Sequence, residues 1–149
     1  MFYMDGQILL FIQEHLRNAV FDFIFKGITH LGDAGIFWIL LTVVRLCFRQ
    51  TRRAGIYSAC ALAASLVINN LILKNLVGRI RHYELVEGLH CIVAPAPAAS
   101  FPSGHTGASF ASAVSISRQL PRKMAVFFIV LASLIAFSRL YVGIHYPTD

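Results

Sequence analysis

Ala54-Gly-Ile-Tyr-Ser-Ala-Cys-Ala-Leu-Ala-Ala-Ser-Leu-Val-Ile-Asn-Asn-Leu-Ile-Leu73 is a run of twenty residues without a charge. As a helix rising ~1.5 Å per residue it reaches about 30 Å, the thickness of a bilayer's hydrocarbon core. Lipid offers no hydrogen-bond partners to an open backbone, so such a segment spans as a helix. Its only amides, Asn69 and Asn70, lie near the end, where a hydrogen bond to a neighbouring helix accounts for them.

Working outward, the same character recurs. Residues 7–19 place Ile8, Leu9, Phe11, Ile12, Leu16 and Ala19 on one side and Gln13, Glu14, Arg17 and Asn18 on the other, which predicts an interfacial amphipathic helix. Val20 to Leu31 reads as a short apolar helix, Gly32-Asp33-Ala34-Gly35 as a break, and Ile36 to Phe48 as the next helix. His105 to Ser117 carries Gly107, Ala111 and Ser115 every four residues, a small-residue face suited to the centre of a bundle. Met124 to about Val142 forms the last apolar run. The predicted fold is therefore all-α: an integral membrane helical bundle occupying residues 1–149 as a single domain.

Composition agrees. Of 149 residues 57% are apolar and 13% charged, and the mean hydropathy is +0.67, well outside the range of ordinary soluble domains. The net charge of +6 sits in short clusters between apolar runs and not on a polar face, which argues against nucleic acid as a partner. Cys47, Cys60 and Cys91 have neither disulfide-framework nor zinc spacing. The first residues lack the features of a cleaved signal peptide, so insertion is expected to rest on the chain's own helices.

Arg49, Arg52 and Arg53 bracket one short loop, and Arg118, Arg122 and Lys123 another. Short basic loops stay cytoplasmic. Alternation then puts the segment Lys74–Phe101, the start of the His105 helix and the end of the last helix on the opposite face. Lys74, Arg79 and Arg81 break the charge rule there, which suggests a purpose other than topology.

Those same places hold the chemistry. In Phe101-Pro102-Ser103-Gly104-His105-Thr106, a serine cap and the free N–H groups of a helix start form an anion pocket, with His105 in the first turn beside it. Arg139 follows a long apolar run, at a depth where a charge must be paired or face a polar cavity. His145, just before Pro147, suits the first turn of a new helix, from which Asp149 reaches back to the ring. A carboxylate on one ring nitrogen fixes the tautomer and raises the basicity of the other. Lys74 and Arg81 are seven apart and share a side if the helix continues that far. Each feature also has a plainer reading: a cap with an interfacial histidine, an arginine snorkelling to the interface, an aspartate capping a turn.

Taken in order, Lys74-x6-Arg81, Pro102-Ser103-Gly104-His105 and Ser138-Arg139-x5-His145-x3-Asp149 resemble the three signature motifs of the type 2 phosphatidic acid phosphatase (PAP2) superfamily, which includes vanadium haloperoxidases and bacterial acid phosphatases. The resemblance covers residues 74–149. It implies that His145 attacks phosphorus to give a phosphohistidine, that Asp149 orients it, and that His105 protonates the leaving group and later activates water. It further implies that Lys74, Arg81, Ser103, the Gly104 amide and Arg139 bind the phosphate, with no metal or other cofactor. His82 stands where the family usually has proline. Membrane members usually have six spanning helices, so the resemblance also implies a last helix after Asp149 that this chain lacks.

The expected activity is hydrolysis of a lipid phosphate or diphosphate at the extracytoplasmic face of a bacterial inner membrane. Undecaprenyl pyrophosphate, phosphatidylglycerophosphate, phosphatidic acid and lipid A-type phosphates are all candidates. A vanadate-dependent haloperoxidase and a non-catalytic binder of phospholipid headgroups are the alternatives, and oligomeric state is left open.

Overall fold

The computed structural model describes residues 2–77, 88–93 and 101–149. Among them every regular element is helical, and no strand occurs. Helix α1 (Phe2–His15) leads through Leu16–Asn18 to α2 (Ala19–Leu31). A short 3₁₀ turn (Asp33–Gly35) separates α2 from α3 (Ile36–Cys47), and the two helices are bent by 50°. Then come α4 (Arg52–Val77), α5 (Gly104–Ser117) and α6 (Arg122–Tyr141). Helices α4 and α6 are long and apolar enough to cross a membrane, and the bent pair α2–α3 gives a third crossing if taken as one span. Large apolar side chains such as Val20, Phe23, Leu76 and Phe127 point outward, as lipid-facing residues do.

Helix α5 is central, packed against α3, α4 and α6. Its core neighbours are Trp38 from α3 and Phe128, Ala132 and Ile135 from α6, around Ala113 and Ile116. Apolar surface gains little from association inside lipid, so close packing and buried hydrogen bonds hold such helices together. Trp38 Nε1–H donates to Ser109 Oγ at 2.8 Å, and the hydroxyls of Thr42, Ser58 and Ser112 link α3, α4 and α5 at 2.6 and 2.7 Å. Gly107 is needed for the approach of α4 to α5, because a Cβ there would overlap Asn69 Nδ2.

Three expectations change. The helix expected over residues 7–19 is shifted: α1 ends at His15, Arg17 lies in the link to α2, and Ala19 already belongs to α2. Leu9 and Ile12 are buried, but Ile8 and Phe11 face outward while Gln13 and Arg17 turn to the protein. Their polar groups serve main-chain partners that lack helical bonds: Arg17 donates to the carbonyls of Tyr141 and His90, and Gln13 to that of Gly88.

The segment Leu66–Leu73 of α4 is wound as a π-helix, with Lys74 N–H reaching Asn69 O. This wider turn sets Asn69 and Asn70 against the start of α5, where both line a cavity, with the expected hydrogen bond between helices replaced by one within α4. Asn69 Nδ2 donates within α4 to Ser65 Oγ at 3.0 Å, and Asn70 Oδ1 has no partner among the described residues. Finally, His145 begins no helix; residues 142–149 form successive turns.

Candidate active site

The end of α6 is set by Gly143, whose φ of 81° is the left-handed conformation that glycine tolerates best. Its N–H donates to Leu140 O at 3.0 Å, and that of Ile144 to Arg139 O at 3.2 Å, the paired bonds of a Schellman stop. The chain doubles back there, and His145 lines the same cavity as Arg139.

A second turn follows, in which Asp149 N–H donates to Tyr146 O at 3.1 Å. The Asp149 carboxylate accepts from His145 Nδ1–H at 3.0 Å and from Tyr146 N–H at 2.9 Å. Both side chains are almost wholly buried, 6% and 1% exposed. An ionised carboxylate only accepts, so the proton stays on Nδ1 and the lone pair on Nε2. A helix was expected to bring Asp149 to His145; a proline-containing turn does so instead.

Arg139, 6% exposed, donates from Nη1 to Thr29 Oγ1 at 2.6 Å. Thr29 is itself buried in α2, and it fixes the direction of a charge held in an apolar bundle. Ser103 caps α5 as its residue type predicts, accepting from Thr106 N–H and Thr106 Oγ1–H at 3.4 and 3.0 Å. Because Oγ accepts both, its own O–H remains available to donate to an anion. The Phe101–Pro102 bond before this cap is cis. Ser103 N–H donates to the main-chain oxygen of Asp149 at 3.3 Å, which joins the two motifs directly.

His105, in the first turn of α5, makes a contact that the sequence did not suggest. Its Nε2–H donates to Asp33 Oδ1 at 2.9 Å, while His30 Nδ1–H donates to Asp33 Oδ2 at 2.6 Å. Asp33 belongs to the break between α2 and α3. The break lies hard against the site, since a Cβ on Gly32 would come within 2.9 Å of His105 Cδ2.

A cavity of about 510 Å³ joins these groups. Lys74, Gly104, His105, Arg139 and His145 line its polar end, and Ile39, Leu62, Leu66 and Ala108 its apolar walls. Of the residues singled out from sequence, Lys74, Ser103, Gly104, His105, Arg139, His145 and Asp149 thus gather at one place. Arg81, with Arg79 and His82, lies outside the described residues. Thr29 and Asp33 are added by the structure. Cations, a serine hydroxyl and a helix N-terminus suit a phosphate, and the paired imidazole beside them suits attack on it.

Comparison with known proteins fits this arrangement. The chain is 33% identical over 133 residues to undecaprenyl-diphosphatase BcrC of Bacillus subtilis, covering 89% of this chain and 67% of that protein. It is 30% identical over 112 residues to an undecaprenyl-diphosphatase of Sulfolobus acidocaldarius, covering 75% of this chain; that match spans about half of the Sulfolobus protein's length, 54%. Its fold is similar to the transmembrane PAP2 type phosphatidylglycerolphosphate phosphatase of B. subtilis, with a TM-score of 0.75, 26% identity, and coverage of 99% of this chain and 75% of that one. A sequence model of the PAP2 superfamily matches residues 54–149, the stretch that carries α4, α5, α6 and the closing turns. With a family model that matches more than half of the chain and a helical frame that agrees with it, this membrane protein belongs to the PAP2 superfamily.

Proposed function

We propose that the protein is a metal-independent phosphatase of lipid phosphates or diphosphates, working through a phosphohistidine at the extracytoplasmic face of the membrane. The carrying observation is one cavity lined by His145, whose ring is held by the buried Asp149, by His105, Lys74 and Arg139, and by the apolar side chains of Ile39, Leu62 and Leu66. A polar, cationic end beside apolar walls matches a molecule with a phosphate head and a hydrocarbon tail. The names of the relatives favour a polyprenyl diphosphate.

In this reading His145 Nε2 attacks the terminal phosphorus and the bond to the leaving oxygen breaks, while His105 gives that oxygen a proton. Water then attacks the phosphohistidine as His105 takes its proton, the P–N bond breaks, and phosphate leaves. Lys74, Arg139, the Ser103 hydroxyl and the Gly104 amide neutralise the equatorial oxygens, with Arg81 joining them as the family resemblance implies. Electrostatic positioning of this kind supplies most of what phosphoryl transfer needs.

Helix lengths support a recessed site. Helices α3 and α5 run from the basic loops to the cavity in 12 and 14 residues, which at ~1.5 Å per residue is roughly 20 Å of a ~30 Å core. The substrate's head then reaches a little below the outer boundary while its tail stays among apolar groups.

The test uses the full-length protein on a panel of lipid diphosphates and monophosphates, with EDTA and with His145→Ala and His105→Ala. Phosphate release that resists EDTA and disappears in both variants is expected. Release that survives His145→Ala, or stops with EDTA, contradicts the mechanism, and bromide peroxidation on adding vanadate would support a haloperoxidase instead.

A further inference from the structure

The one carboxylate that touches His105 among the described residues comes from a part of the chain outside all three motifs. Asp33 sits in the 3₁₀ turn between two glycines, each with a steric function. Gly32 lets the backbone lie against the His105 ring and Ile135 of α6, since a Cβ would sit 2.9 Å from the former's Cδ2 and 2.8 Å from the latter's Cγ2. Gly35, at φ 69°, turns the chain into α3 with its Cα facing Ala108 of α5. The break is therefore shaped to bring one acidic side chain to the start of α5. His30 binds the second oxygen at 2.6 Å and holds the carboxylate from its other side.

We infer that Asp33 is the positioning residue of His105: by accepting from Nε2–H it fixes the tautomer, and leaves Nδ1 as the nitrogen that exchanges a proton with leaving group and water. This rests on the phosphatase reading above, in which His105 acts first as acid and then as base. The site then holds two histidine–carboxylate pairs with different work. In the first, Asp149 keeps the nucleophile's lone pair on Nε2 of His145. In the second, Asp33 stabilises the imidazolium that His105 becomes when it takes a proton from water.

Such help is needed here. Lys74 of α4 and Arg139 of α6 line the same cavity as His105, and two cations disfavour a third. Asp33 and, one contact further out, His30 are the titratable groups that face the ring from the α2–α3 side. With its side chain 47% exposed, Asp33 shares its charge with solvent, so its contribution is a part of the ~10²–10⁴-fold that acid–base catalysis supplies.

The test compares Asp33→Asn, Asp33→Glu and His105→Ala in the full-length protein. Substrates are a lipid diphosphate and a lipid monophosphate, whose leaving groups need little and much protonation respectively. Asp33→Asn is expected to lower kcat about 10- to 100-fold with KM within about twofold. The loss should be larger on the monophosphate, and the alkaline limb of its pH profile should move to lower pH, because the acid form of His105 has lost its counter-charge. Asp33→Glu should restore part of the rate. Asp33→Asn that matches or exceeds the parent rate, or that changes KM alone, while His105→Ala is inactive, overturns the assignment. Activity retained by His105→Ala instead overturns the phosphatase reading on which it rests.

Discussion

His145 and Asp149 are four residues apart, and their contact is made by a turn closed within those same residues. Such local pairs are visible in sequence, because spacing alone limits where the carboxylate can reach. As the proposed nucleophile, His145 should be the costliest residue to lose: His145→Ala is expected to lower kcat by at least about 10³-fold, with the helices intact. Arg139 was visible as a charge in an apolar run, but its partner was not: Thr29 lies 110 residues away and looks like any helix threonine. Thr29→Val keeps the shape and removes the acceptor, at a cost of about 1.5–3 kcal/mol for a hydrogen bond to a charged group. Steady-state kinetics should show this mainly as a KM raised roughly tenfold or more, each ~1.4 kcal/mol being a factor of ten. Asp33 was hidden for the same reason, being joined to His105 across 72 residues. A signal did exist, since it is one of only seven acidic residues and lies between glycines in an apolar stretch.

Among the elements, the apolar runs fixed the helices well because in lipid the backbone has little alternative to helix. Orientation was harder to read. Periodicity in α1 separates polar from apolar residues, yet says nothing of which side meets protein. Gln13 and Arg17 turn inward because main-chain carbonyls near Tyr141 and His90 need donors. The π-helical stretch of α4 was equally silent, since one extra residue per turn leaves no mark in composition. Two glycines test the geometry of the elements. Gly143→Ala puts a Cβ at a left-handed φ and within 2.9 Å of Arg17 Nη2 and 3.2 Å of His90 O. At a cost of roughly 1–2 kcal/mol for the backbone alone, the turn that returns His145 to Arg139 should open, and turnover should fall while far-UV circular dichroism stays helical. Gly107→Val should force α4 from α5 by displacing Asn69, and lower the thermal stability of the detergent-solubilised protein by several degrees, as a loss of about 1–3 kcal/mol from overpacking implies.

At the scale of the molecule, the fold puts the two short basic loops, around Arg49–Arg53 and Arg118–Lys123, at one end and the cavity toward the other. Charge placement predicted this arrangement before any coordinates, because only the ends of an apolar helix can hold lysine and arginine freely. Labelling decides which end is outside. In a full-length, cysteine-free background, a cysteine at Gln119 should react only with permeant maleimide in intact cells, and one at Gly88 should react with an impermeant reagent; the reverse pattern would contradict the proposed orientation. The mechanism itself is tested most directly by rapid acid-free quenching of the full-length protein during turnover of a lipid diphosphate labelled in its terminal phosphate. A protein-bound label that survives alkali, is lost in acid, maps to His145 and is absent from His145→Ala is the predicted result. Turnover at the parent rate with no protein-bound label at any time, or a label on another residue that persists in His145→Ala, would contradict it.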